Sequence, residues 1–156
     1  MMRSFRFAVL SLCVATPGFC WGPEGHKIVA FLAARYLSPE VVAQVNILLA
    51  IDNFSEAPQG LADVSGLADM PCPQPFLACG TDVNRLWHFT DIPIAAKGYD
   101  RSRDCVNSSG DDQCSVEQIQ RMVAVLRDPT ATQQDQAQAL EFLVHFVGDL
   151  QRHAAD

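Results

Sequence analysis

From Gly25 to Leu37 the apolar residues Ile28, Val29, Phe31, Leu32 and Leu37 recur at the spacing of an amphipathic helix. Ser38-Pro39-Glu40 then supplies a capping hydroxyl, a first-turn proline and a first-turn acid. The helix these residues open is predicted to run to about Ile51. Residues 52–83 are loop-rich, with a short helix around Leu61–Ala68, and Pro71, Pro73 and Pro75 forbid regular structure beyond it. Residues 93–113 are irregular and end in the acidic turn Gly110-Asp111-Asp112. Ser115-x-x-Gln118 reads as a capping box for a helix to about Arg127, which Asp128-Pro129 ends. Ala137, Leu140, Leu143, Val144 and Val147 form the stripe of a last helix, from about Gln133 to the end. No strand-length alternation and no repeat is present. The pattern predicts an all-α domain with long loops.

The 156 residues suffice for one domain, and 49% apolar with 19% charged residues describes a globular chain. No apolar run is long enough for a membrane-spanning helix. Residues 1–20 carry Arg3 and Arg6, then an apolar stretch from Phe7 to Ala15, then Pro17, Gly18 and Cys20 before a cut. These features read as a secretory signal peptide, which leaves residues 21–156 as the mature chain with Trp21 first. A secreted or periplasmic protein is expected. A lipid anchor on Cys20 is disfavoured, because Phe19 stands where a small residue is needed.

Cleavage would remove two arginines and take the net charge from −7 to −9. Binders of phosphate backbones are normally basic. A role with phosphates therefore needs another source of positive charge, and bound metal ions are the obvious one. Cys72, Cys79, Cys105 and Cys114 remain after cleavage. An even number in an exported chain argues for disulfides, and Cys72–Cys79 and Cys105–Cys114 would each close a short loop. Intervals of six and eight intervening residues do not suit a four-cysteine zinc site.

The mature chain holds four histidines. His145, Asp149 and His153 recur every fourth residue in the last helix and share one face. Two imidazoles and a carboxylate form a natural donor set for zinc, although a solvated polar face has the same spacing. His88 and Asp91 lie among Trp87, Phe89 and Ile92, where apolar surroundings make an unpartnered polar group costly. Phe89 offers either a flat face for a nucleobase or ordinary core packing. Asp69 ends the short helix, where an aspartate is most often a turn residue. Once cleavage frees Trp21, its amine and carbonyl could chelate one metal, with His26 adding an imidazole. An uncut chain offers only an amide nitrogen there.

W-G-x-x-G-H at residues 21–26, L-A-D at 67–69, W-H-F-x-D-I-P at 87–93 and H-F-x-G-D at 145–149 occur in that order. Together with Y-L-S-P-E-V-V-A-Q-V-N-I-L-L at 36–49, they resemble the zinc-dependent type I nuclease family, the nuclease S-one/P-one family. The resemblance implies a single helical domain of the phospholipase C / nuclease P-one type, with three zinc ions and a monomeric chain. It implies that Trp21 and His26 hold one ion, that Asp69, His88 and His145 hold its neighbour, and that Asp149 bridges them. Such a pair generates a hydroxide nucleophile and stabilises the phosphoryl transition state. Asp91 is similar to the family's aspartate beside the site, which helps position nucleophile or base. Phe89 is similar to its base-stacking aromatic. The implied partner is single-stranded nucleic acid or a nucleotide substrate.

Three departures qualify this resemblance. The family's last helix reads H-x3-D-x5-H, whereas three residues separate Asp149 from His153 here, which changes the helical phase of His153. The family also continues past the position of Asp156 and supplies a further histidine and aspartate to its third zinc. The expectation is therefore a C-terminally incomplete domain with two zinc ions and impaired turnover. Leu67 stands where family members often carry tryptophan. A zinc phospholipase C-like phosphodiesterase and a zinc-binding remnant without turnover are the alternatives. Phe89-Thr90-Asp91 beside His88 favours nucleotides over lipids.

Overall fold

The computed structural model describes residues 22–69, 85–105 and 114–153. Residues 1–20, expected to be a signal peptide, lie outside the described residues, as do Trp21, Cys72, Cys79, the Pro71–Pro75 stretch, the acidic turn and the side chain of His153. Among the described residues all regular structure is helical, as expected. The helices are α1 (Pro23–Ala34), α2 (Pro39–Ile51), α3 (Gln59–Val64), α4 (Arg101–Asp104), α5 (Ser115–Arg127) and α6 (Gln133–His153). Single 3-10 turns occur at Leu67–Asp69 and Arg85–His88.

α1 starts at Pro23, earlier than its periodicity shows, because proline suits the first turn. It also turns a different face inward. His26 and Ala30 are buried and Ala34 packs on the core, whereas Ile28, Phe31 and Leu32 are exposed. Small residues at every fourth position let α1 approach α3 and α6. α2 has the predicted bounds, and the Ser38 hydroxyl accepts from the Val41 N–H at 3.4 Å. Asn53 ends it at φ 61°, while the Phe54 N–H donates to the Leu49 carbonyl at 2.9 Å. This left-handed cap turns Phe54 back onto the core.

The capping box expected for α5 does not form. Cys114 is the N-cap residue and makes no side-chain cap, while Ser115 is already helical. The cap comes from another segment. Thr90 Oγ1 accepts from the Val116 N–H at 3.2 Å and lies 2.7 Å from Ser115 Oγ, and the Phe89 carbonyl accepts from the Ser115 N–H at 3.0 Å. The segment after His88 is thereby fastened to the start of α5. The expected Cys105–Cys114 disulfide is present and ties α4 to the same point.

α6 is the central element, packed against α1, α2, α3, α5 and both 3-10 turns. Leu140 joins Ala30, Val45, Leu49, Leu61, Ala62 and Val64 in one core cluster. Ala139, Phe142 and Phe146 join Ala68, Trp87 and Met122 in another. At roughly 100° per residue, His145, Gly148 and Asp149 fall in the arc between these two stripes. His145 and Asp149 are therefore carried inside the protein at the seam of its two cores.

Candidate metal centre

Four elements deliver side chains to this seam. α6 brings His145 and Asp149, with 0% and 6% of their surfaces exposed. α1 brings His26, the turn Leu67–Asp69 brings Asp69, and the turn Arg85–His88 brings His88. Trp87 anchors the last of these: it is buried, meets the Phe142 ring edge-on, and lies under the Arg121 guanidinium.

The Asp149 carboxylate stands in the middle. Its Oδ1 lies 3.5 Å from His26 Nε2. Its Oδ2 lies 3.0 Å from His88 Nδ1 and 3.1 Å from His145 Nε2. Asp69 Oδ1 approaches from the open side, 3.6 Å from His145 Nε2 and 3.8 Å from His88 Nδ1. Two metal-donor groups result, His26/His145/Asp149 and Asp69/His88/His145, each with its donor atoms within 4.8 Å of one another.

Proton accounting shows what this arrangement suits. The Ser65 carbonyl can only accept, so at 2.8 Å it takes the Nδ1–H of His145. In neutral His145 the other nitrogen, Nε2, then presents a lone pair to Asp149 Oδ2 and, at 2.9 Å, to His88 Nδ1. Three electron-rich atoms this close are mutually repulsive unless a proton or a cation lies among them. Donors around a tetrahedral zinc are separated by about 3.3 Å, close to the separations found here. An imidazole that gives its second N–H to a carbonyl is also the usual support of a metal-ligating histidine. The donor set fits a dication.

Without a cation, protons take its place. Burial opposes a charge on His145, but hydrogen bonding and attraction from Asp149 outweigh it and raise its pKa. Burial likewise opposes the charge of Asp149, yet hydrogen bonds from His145 and His88 hold its pKa down at about 2. The pKa of His26 falls, first through burial and then through repulsion from His145. The His26 and His145 rings stack with centroids 4.4 Å apart and planes 11° from parallel.

Of the site residues named from sequence, His26, Asp69, His88, His145 and Asp149 thus meet in one place. Phe89 is exposed beside His88, their ring centroids 6.4 Å apart, and Asp91 is exposed two residues further on. His153 ends α6 one turn beyond Asp149. Two residues at the site escape a search for ligands: Ser65, which acts through its carbonyl, and Gly148, against which the His26 ring rests. A main-chain acceptor leaves no mark in sequence, whereas a glycine inside a helix is a visible oddity.

A sequence model of the family described as S1/P1 Nuclease matches residues 21–153. The chain is 32% identical over 133 residues to Nuclease P1 of Penicillium citrinum, covering 83% of this chain and 45% of that protein. It is 27% identical over 159 residues to Nuclease S1 of Aspergillus oryzae, covering 100% and 51%. It is 29% identical over 164 residues to Endonuclease 4 of Arabidopsis thaliana, covering 96% and 50%. The chain spans about half the length of the curated relatives it matches.

Proposed function

The chain belongs to the S1/P1 nuclease family, and from that premise we propose that it is a zinc-dependent phosphodiesterase. On this reading it is an endonuclease that cleaves single-stranded RNA and DNA and also acts on 3′-nucleotides. The observation that carries the reading is the division of Asp149, one oxygen toward His26 and the other toward His88 and His145. A carboxylate placed in this way would serve one ion with each of its oxygens. His88, His145 and Asp69 would hold one zinc. His26 would hold the other, completed by the amine and carbonyl of Trp21. A bound zinc pair supplies Lewis acidity for the phosphoryl oxygens and lowers the pKa of an attacking water.

The protein's own part is to hold the donors rigidly and to keep their protons off. Ser65 fixes which nitrogen of His145 carries its proton. Thr90 and Trp87 fasten the segment that carries His88, and the same segment presents Phe89 to stack on a base and Asp91 to orient nucleophile or base. The acidic chain gains the positive charge that a polyanionic substrate requires from the ions. Export belongs to the proposal, because the amine of Trp21 becomes a ligand only after residues 1–20 are removed. His153 takes no part in this pair.

The experiment is hydrolysis by the exported, processed chain of single-stranded DNA, single-stranded RNA and a phosphatidylcholine analogue. Nucleolytic turnover that a chelator abolishes and zinc restores is the expected result. Lipid hydrolysis alone, or turnover indifferent to chelation, would overturn the proposal.

A further inference from the structure

We propose that Gly148 is a positioning residue for the metal pair: by leaving one face of α6 bare, it seats the His26 ring beside His145 and Asp149. The inference rests on the zinc reading above and adds a residue that donates no ligand. A Cβ built on Gly148 would lie 2.3 Å from His26 Nδ1, 3.1 Å from Cε1 and 3.3 Å from Cγ. The three atoms nearest that added carbon all belong to His26. Ordinary contact begins at 3.4 Å, so a methyl group would displace the ring by about 1 Å. Retreat is restricted, because His26 is 4% exposed and stacked parallel to His145.

Metal–ligand bonds tolerate errors of only about 0.2 Å. A displacement several times larger would remove His26 from any ion shared with Asp149. None of the three atoms nearest the added methyl belongs to Asp69, His88 or His145, so the two ion positions should separate in their response. Helix propensity sharpens the argument. Glycine is a poor residue inside a helix, and alanine is the best one. Taken alone, Gly148→Ala should stabilise α6, so a loss of stability would report the collision with His26.

The test compares the full processed chain with Gly148→Ala and with His26→Ala/Gly148→Ala. In metal-free protein, imidazole NMR reads the ring-current contact between His26 and His145, and thermal unfolding reads stability. In zinc-dialysed protein, elemental analysis reads zinc per chain. Gly148→Ala is expected to lose the ring contact, melt below wild type and retain about one zinc where wild type retains about two. The double variant, with the colliding ring removed, is expected to melt above Gly148→Ala.

A Gly148→Ala chain with the ring contact intact, or with two zincs held at wild-type affinity, overturns the proposal. If Gly148→Ala fails to fold, the double variant decides: a folded double variant supports the collision and an unfolded one refutes it. A wild type that binds no zinc overturns the zinc reading alone, since the metal-free ring contact still decides whether Gly148 places His26.

Discussion

Asp149 and Glu141 are both carboxylates of α6, and burial disfavours the charge of both, yet their acidities move in opposite directions. Hydrogen bonds from His145 and His88 keep Asp149 at about 2. For Glu141 every cause acts the other way: burial, then repulsion and hydrogen bonding with the Asp52 carboxylate, lift it from 4.5 to about 7. Between these two values the folded chain holds a proton that the unfolded chain has released. Stability is therefore lost as the pH rises through that window. Glu141→Gln removes the effect. Urea unfolding at pH 8 should show the variant more stable by about 1–2 kcal/mol, after allowance for screening at the exposed Asp52. At pH 4 the difference should vanish. An equal gain at both values would mean that titration is not its cause.

At the scale of elements, what the sequence revealed depended on whether the signal was local. Ser38-Pro39-Glu40 carries its helix start within three residues, and α2 begins where those residues place it. Asp128-Pro129 likewise ends α5 at Arg127. Ser115-x-x-Gln118 has the same local form, but the donor at the start of α5 is met by Thr90, a residue 25 positions earlier. A cap supplied from another segment has no pattern to read. The inward face of α1 departs from its apolar periodicity for a related reason. Its packing partners α3 and α6 favour the small Ala30 and the polar His26, and the larger apolar residues are left outside.

Thr90→Val should therefore lower stability by about 1–2 kcal/mol, the usual worth of a helix cap. It should also weaken zinc binding through His88, as metal titration of the variant would show. Chemical unfolding that leaves zinc affinity unchanged would separate the cap from the site. Replacing Cys105 and Cys114 with serine opens a loop of eight intervening residues and should cost about 2–3 kcal/mol of stability. Urea midpoints with and without reductant measure that loss.

For the whole molecule, the all-α class and the histidine–carboxylate donor groups were legible in the sequence, because helices and clustered donors both leave periodic or clustered marks. How these five side chains come together was not. His26 and Asp149 are 123 positions apart in sequence, and their approach depends on Gly148 and on the seam between two apolar clusters. The seam explains how a polar cluster survives inside the protein. α6 commits one stripe to each core and keeps the arc between them for His145 and Asp149, and the flanking elements deliver the remaining donors.

The central claim is that Asp149 joins two zinc positions. The most direct measurement is zinc per chain in the processed wild type and in Asp149→Asn, dialysed side by side against the same free zinc concentration. Asparagine keeps the size of the side chain but removes the charge and one of the two ligand oxygens. The account predicts about two zincs in wild type and at most one, weakly held, in the variant. Two zincs in both proteins at equal affinity, or none in wild type, would contradict it.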